Sequence, residues 1–383
     1  MKITIIGWYG TETIGDRAIL AGLISLFSKS FPSFEINLGS LYPFFSERTI
    51  SEDFELYTVF SKQSFNIKLF NSKQSQLLNK AIKNSDLLIM GGGPLMDLDE
   101  LFMIEYAFKK AQKIGVKTAL LGCGVGPLFD NKYQKSVLEI ARSSDLIILR
   151  DHQSKLNLIN ISEKYSYYLN VNDILVSFDP AVECSFMFNN THIQEKKQYI
   201  AINLRSFPVE YTQNKSSENI NRNLHNFVNE LADLFVNNEL KLIPMHYFHI
   251  GGDDRVFLNE IAFSLNKNNI CVQNKNLTLE ETLQMYQSAW FNVGMRFHAV
   301  VLQTLVSRYN YILDYTVPNE GKISGFINDI DNSGFYSNRY VNLQNSVPHT
   351  GLMNNLDNRF SINTDYINMG QCVYISQLKK FSN

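Results

Sequence analysis

A short apolar run that stops at a glycine and opens into a helix recurs along this chain. That recurrence narrows the fold more than any other feature. Residues 2–7 form an apolar β-type run ending in Gly7, and 16–28 have helical spacing with Ile19, Leu20, Leu23, Ile24 and Phe27 on one face. Residues 85–90 read as a buried strand stopped by Gly91-Gly92-Gly93, followed by a helix over 100–113. A strand over 117–121 runs into Gly122, Gly124 and Gly126, then come a helix over 132–143 and a strand over 145–149. Strand, glycine turn and helix in repetition are the pattern of a parallel sheet in an α/β domain.

A second series follows a polar stretch, 188–197, which reads as a linker. Strands are expected over 199–204, 240–245, 290–293 and 310–314, with helices over 221–236, 256–265, 278–288 and 297–306. Thr278 with Glu281 three residues on has the form of a capping box. The expectation is therefore an α/β chain of two Rossmann-like domains facing a central cleft. An N-terminal domain spans 1–188 and a C-terminal domain 198–345. Residues 346–383 form a tail whose helix, over 371–380, can pack back on the first domain. Residues 51–84 carry no clear pattern. A length of 383 residues suits two domains.

Charge and cysteine usage exclude several classes. Thirty-five basic residues against thirty-seven acidic ones leave a formal charge of −2, so no whole-protein basic field would attract nucleic acid. Cys123, Cys184, Cys271 and Cys372 are far apart and form no CxxC pair, which suggests neither a zinc cluster nor a dense disulfide framework. The N-terminus does not read as a signal peptide, and no apolar run approaches the roughly 20 residues of a membrane span. The expected location is the cytoplasm, with association at the inner membrane surface and homo-oligomerisation both compatible with the sequence.

Parallel sheets bind ligands at the carboxyl ends of their strands, so chemistry is expected in the loops there. The first such loop runs from Gly7-Trp8-Tyr9-Gly10 to Gly15-Asp16, and Asp16 can serve a ligand or simply favour the helix start. Gly91-Gly92-Gly93 permits close backbone approach, and Asp97 can accept from substrate hydroxyls or cap a helix. Cys123 lies between glycines and reads as a small buried residue rather than a nucleophile. Arg150 and Asp151 can pair, with Ser154 at the next helix start. In the second half Arg205 ends a strand, where a planar guanidinium suits phosphate or carboxylate. His246, Asp253 and Asp254 make a metal conceivable, though no ligand spacing singles one out. The strongest group is Gly294-Met295-Arg296-Phe297-His298-Ala299, where an arginine, an imidazole and a helix start would converge on one anion. Lys322 can add a further cation.

Taken in order, these motifs resemble the polysaccharide pyruvyl transferase family. They are Gly15-Asp16-Arg17-Ala18, Gly91 to Asp97, Gly122 to Pro127, Arg150-Asp151 with Ser154, Asp179-Pro180-Ala181, Arg205, Gly294 to Ala299, and Lys322 with Gly325 and Phe326. The chain departs from the family pattern at Glu12-Thr13 and at Arg17. The resemblance implies a glycosyltransferase-B-like arrangement and transfer of pyruvate from phosphoenolpyruvate to a sugar, as a cyclic ketal on two hydroxyls of a cell-surface polysaccharide or its precursor. It implies a donor site of Arg205, Arg296, His298, Gly294 and Lys322. It implies catalytic roles for His298, Asp16 and Asp97. The acceptor side is expected at Trp8, Tyr9, Asp16, Gly92, Gly93 and Asp97. No metal or cofactor is expected; the partners are phosphoenolpyruvate and a sugar or lipid-linked oligosaccharide. Two other readings stand beside this one: a glycosyltransferase using a nucleotide-sugar donor, with Glu280 or Glu281 on the ribose, and a non-catalytic glycan-binding member.

Overall fold

A computed structural model describes residues 1–191, 197–212, 216–248, 252–351 and 358–382. The chain divides into two compact units. The first holds Met1–Glu12, Asp16–Cys184 and Thr364–Asn383; the second holds Thr13–Gly15 and Ser185–Asn363.

The first unit is one parallel sheet with helices between its strands. In chain order its elements are β1 (Lys2–Ile6), α1 (Ile14–Ser30, from Asp16 on), β2 (Glu35–Ser40), α2 (Pro43–Ser61), β3 (Asn66–Asn71), α3 (Ser75–Lys83), β4 (Leu87–Gly91), β5 (Pro94–Leu95), α4 (Glu100–Lys113), β6 (Lys117–Val125), α5 (Asn131–Arg142), β7 (Leu146–Leu149), α6 (His152–Lys164), β8 (Ile174–Val176) and the start of α7 (Pro180–Thr191), which passes into the second unit at Ser185. The sheet order is β3-β2-β1-β4-β6-β7-β8, with β5 paired to β6. The central strands read as unbroken apolar runs because helices cover both faces: β4, Leu87–Gly91, is buried throughout. The unpatterned stretch 51–84 is α2, β3 and α3. Its pattern is weak because β3 sits at the sheet edge, where exposed Asn66 and Lys68 alternate with half-buried apolar residues.

The last helix, α13 (Thr364–Lys379), belongs to this unit. Tyr374 donates its hydroxyl to the Phe178 carbonyl (2.6 Å), and Gln371 donates to buried Glu183 (2.7 Å), which also accepts from Ser25 and Lys29. That helix starts seven residues before the expected 371.

The second unit repeats the construction. Its elements are β9 (Lys197–Asn203), α8 (Ser217–Leu234), β10 (Glu239–Leu242), α9 (Asp254–Leu265), β11 (Ile270–Val272), α10 (Leu279–Ser288), β12 (Ala289–Gly294), α11 (Phe297–Val306), β13 (Asn310–Asp314), α12 (Lys322–Ile330) and β14 (Tyr340–Asn342), in the parallel order β11-β10-β9-β12-β13-β14. The capping box at Thr278 and Glu281 is present. Much of the stretch read as a linker is instead structured. Helix α7 runs on to Thr191, because Phe188 is fully buried and carries the helix with it, and β9 begins at Lys197. Residues 192–196 of that stretch, like 352–357 of the Asn-rich tail, lie outside the described residues.

Candidate active site

In each unit the loops at the carboxyl ends of the strands gather most of the residues singled out above, but the two gatherings differ in chemistry.

In the first unit, the loop after β1 folds onto the loop after β4. Trp8 donates its indole N–H to the Pro94 carbonyl (2.9 Å), and Tyr9 donates its hydroxyl to the Gly91 carbonyl (2.9 Å). Both rings, expected at the acceptor, are buried, so their polar groups are spent on shaping the loop. Gly92 and Gly93 have φ of +70° and +73°; a Cβ there would overlap Ile19 and Trp8 respectively. Only glycine allows this close packing of the two loops.

Asp16 sits half-buried at the start of α1 and accepts from the Thr11 hydroxyl (3.3 Å). Burial pushes its carboxyl up to about 8; the Thr11 hydrogen bond opposes this, and the nearby Asp179 carboxylate adds to it. A carboxyl titrating there can exchange a proton near neutral pH. Asp97 accepts the backbone N–H groups of Phe129 (2.9 Å) and Asp130 (3.0 Å) through Oδ2, which ties down the loop after β6. Its Oδ1 is buried with no hydrogen-bond partner in the protein.

The other motifs of this unit are structural. Arg150 lies 3.3 Å from Asp151 and 3.5 Å from Asp179, and all three side chains are buried. Asp151 caps α6 by accepting from the Ser154 N–H (2.6 Å). Arg17 is bound to Glu52 (2.9 Å) and Asp53 of α2, and Glu12 is bound to Arg48 of the same helix. The charges at both departures from the family pattern are thus matched by α2. Cys123 is buried, and burial lifts its thiol to about 12, which keeps it from acting as a thiolate.

In the second unit, three adjacent strands deliver cations to one place. Arg205 follows β9, Arg296 follows β12, and Lys322 opens α12 after β13. Arg296 is held by buried Asp254, which accepts from Nε at 2.8 Å and from Nη2 at 2.5 Å, while the Gly252 carbonyl accepts from Nη2 at 3.0 Å. The Arg296 backbone N–H donates to Asn203 Oδ1 (3.0 Å), which locks the turn into α11. Arg205 lies over the Tyr315 ring with its Cζ 5.5 Å from the centroid, and Lys322 Nζ lies 5.3 Å from the same centroid. Burial lowers the Arg205 pKa and the Arg296 charge lowers it further, the mark of cations crowded together. The N-terminus of α11 adds its positive dipole end beside Arg296.

His298 lies in the first turn of α11, its ring edge-on to Phe297 at 5.0 Å. Gly15, which belongs to this unit, packs directly against the imidazole: a Cβ at Gly15 would overlap it. That contact is held in place because Ile14 donates its N–H to the Met245 carbonyl (3.0 Å) and Thr13 pairs with His246. Asp254 also accepts the N–H groups of Met245 (3.0 Å) and His246 (3.2 Å).

Asp253 is paired with Arg255 (2.6 Å), Asp254 is committed as described, and among the described residues no cluster of three or more His, Cys, Asp or Glu stands close enough to hold a metal ion. Tyr315 is a residue the sequence reading left unassigned, and Asp254, read there as a conceivable metal ligand, instead holds Arg296. Asp254 had a signal, an acid just after a strand-end histidine; Tyr315 had none beyond its place after β13. Glu280 hydrogen-bonds Gln284, and Glu281 completes the capping box.

Two parallel, helix-covered sheets place the chain among Rossmann-like α/β proteins of the glycosyltransferase-B-like class. It is similar over its full length to the UDP-GlcNAc 2-epimerase of Methanocaldococcus jannaschii in complex with UDP-GlcNAc and UDP (13% identity, 100% of each chain, TM-score 0.61). It is also similar to the UDP-GlcNAc-bound 2-epimerase from Neisseria meningitidis (13% identity, 100% of this chain and 94% of that one, TM-score 0.54). The S. aureus MnaA–UDP co-structure is a third (13% identity, 99% and 89%, TM-score 0.55). At these identities the likeness is one of fold. No match is found among curated protein sequences. Residues 14–302 match the family described as polysaccharide pyruvyl transferase, and the chain belongs to that family. The matched span includes every residue singled out above from Gly15 to Ala299, and stops short of Tyr315 and Lys322. Among the described residues no helix is long and apolar enough to cross a membrane.

Proposed function

We propose that this protein transfers a pyruvyl group from phosphoenolpyruvate to two hydroxyls of a sugar in a cell-surface polysaccharide or its precursor, forming a cyclic ketal. The observation that carries this is the gathering of Arg205, Arg296 and Lys322 beside the α11 N-terminus, within a member of the pyruvyl transferase family. Phosphoenolpyruvate carries a phosphate and a carboxylate, and two guanidiniums and an ammonium suit that pair. His298 protonates the methylene carbon C3, which leaves an oxocarbenium-like centre at C2. A sugar hydroxyl attacks C2 and Asp16 takes its proton, in keeping with a carboxyl that titrates near 8. Phosphate leaves with the C2–O electrons, and the second hydroxyl closes the ketal. Of the two hydroxyl protons, one balances the C3 methyl and the other goes to phosphate. Asp97, through Oδ1, is a second carboxylate for the acceptor hydroxyls. The arginines, the lysine and the helix dipole supply the positive charge, with no metal or cofactor.

A second reading is a nucleotide-sugar donor, favoured by the UDP and UDP-GlcNAc held by proteins of this fold. Calorimetric titration with phosphoenolpyruvate, UDP and GDP separates the two. Saturable phosphoenolpyruvate binding that Arg296→Ala weakens, with no binding of nucleotide, is the expected result. Nucleotide binding without phosphoenolpyruvate binding overturns it.

A further inference from the structure

The cation that opens α12 is held by residues the reaction scheme does not use. Lys322 stands at the end of the loop 315–321, which leaves β13 after Asp314. Strand-end loops are the more mobile parts of a fold unless their backbone groups are tied down. A buried polar network ties this one. Asp314, fully buried, accepts through Oδ1 both the backbone N–H of Thr316 (2.7 Å) and its hydroxyl (2.6 Å). Its Oδ2 accepts the hydroxyl of Tyr340, from β14. The Thr316 carbonyl accepts in turn from the side-chain amides of Asn342 (3.0 Å) and Gln344 (3.0 Å), both buried. At the far end of the loop Gly321 lies directly against Thr316: a Cβ there would stand 1.8 Å from Thr316 Oγ1. Gly321 has φ of −82°, which any residue adopts, so it is this contact and not the backbone that asks for glycine. Asp314 therefore fixes Thr316, and Thr316 packs on the residue that precedes Lys322.

We propose that Asp314 and Thr316 are positioning residues of the donor site, which hold Lys322 where it meets the anion. Replacing buried polar groups by apolar ones of similar volume is often neutral for stability, so such a network is better suited to fixing one geometry than to adding stability. A cation gains most from an anion when it is already in place, because no ordering is then left to the binding step. Asp314, Thr316 and Lys322 all lie beyond residue 302, where the family match ends.

This inference rests on the donor reading above, and the test keeps the two apart. Binding of phosphoenolpyruvate and of inorganic phosphate is measured by calorimetry in the unsubstituted protein, Thr316→Val, Thr316→Ser, Lys322→Met and the double variant Thr316→Val/Lys322→Met, with a urea melt of each. Thr316→Val keeps the volume and removes the hydroxyl bond to Asp314. It should weaken binding of both anions by roughly tenfold, and Thr316→Ser, which keeps the hydroxyl, should stay within about twofold of the unsubstituted protein. In the Lys322→Met background Thr316→Val should change affinity by less than about twofold, because the residue it positions is gone. An equal loss of affinity with and without Lys322, or a loss of stability with affinity unchanged, overturns the proposal. Phosphate binding that follows the expected pattern without any binding of phosphoenolpyruvate supports the positioning role and sinks the donor reading. Phosphoenolpyruvate binding that is indifferent to Thr316→Val does the reverse. If the unsubstituted protein binds neither anion, both fall.

Discussion

Arg150 in the first unit and Arg296 in the second each follow a parallel strand, and each binds a buried aspartate. Their surroundings make them different instruments. Arg150, with 2% of its side chain exposed, is one cation between two carboxylates, Asp151 and Asp179. Arg296, with 14% exposed, is paired with buried Asp254 and is one of three cations that act on Tyr315. The first arrangement is closed and can only stabilise; the second brings three cations together, the charge that a phosphate or carboxylate would meet. The same contrast holds for the units' acids, since Asp16 is driven toward its neutral form where Asp254 is locked to a guanidinium. An arginine at a strand end is thus uninformative until its counter-charges are counted.

The largest effects are expected where the contrast is chemical. Arg296→Ala should lower kcat/KM by roughly 10³-fold and weaken phosphoenolpyruvate binding, because it removes a charged donor to the developing phosphate. Asp16→Asn should lower kcat by roughly 10²–10⁴-fold while leaving phosphoenolpyruvate affinity unchanged, because it removes only the base. If both variants lose donor affinity equally, the division of labour between the units is wrong.

Asp16 also sets a pH dependence. As a base it works ionised, so the rate should rise with pH up to a limb near 8, and Asp16→Asn should abolish that limb in its residual activity. For stability, the folded chain holds this proton up to about 8, whereas an ordinary carboxyl releases it near 3.8. The folded state therefore binds the extra proton across that window, and stability falls as pH rises through it. Urea melts of the unsubstituted protein and Asp16→Asn should diverge more at pH 9 than at pH 5, with the asparagine variant more stable at the higher pH.

Arg150→Met tests the closed arrangement. It strands Asp151 and Asp179 as buried negative charges, so unfolding free energy should drop by about 3–5 kcal/mol while anion binding by the folded protein is unchanged. Loss of phosphoenolpyruvate affinity without loss of stability would erase the distinction drawn from the counter-charges.

Gly15→Ala is a smaller, more local break. The added methyl would overlap the His298 imidazole, and the pairing of residues 13 and 14 with Met245 and His246 leaves the backbone little room to retreat. Displacing the imidazole by about 1 Å should lower kcat by roughly 10–100-fold with donor affinity near normal. A crystal structure of the variant would show the shifted ring.

Much of this was legible beforehand, for definite reasons. Parallel strands flanked by helices are apolar throughout, so β4, β6 and β12 stand out as runs, and the glycines that stop them mark the functional edge. Arg205 and Arg296 could be picked as candidates because each follows a run within two residues, and Lys322 because it lies in the loop after the last run. Short edge strands such as β11 and β14, three residues each, carry too few side chains to show a period. The Asp254 clamp and the Tyr315 stack join residues far apart in the chain, and no local pattern encodes such a pairing. Phe188 shows the opposite error: a polar neighbourhood hid one buried aromatic that keeps α7 helical.

The smallest effect is expected at Cys123, where a reactive residue and an inert one look alike in sequence. It lies between two glycines at a strand end, a setting that would suit a nucleophile. Its thiol instead points at the Met90 carbonyl, 3.4 Å away, in a fully buried position, and burial lifts it to about 12. A thiol so placed is protonated at any working pH and serves as packing. Cys123→Ala should therefore cost about 1 kcal/mol of stability from the small volume lost, and change kcat by no more than about twofold. Thiol-directed alkylation of the folded protein should mark Cys271 and Cys372, which are exposed, and leave Cys123 unmodified. Rapid alkylation of Cys123, or a dead but fully folded Cys123→Ala protein, would mean that the first unit carries a nucleophile, and its role as the proton-accepting side would have to be abandoned.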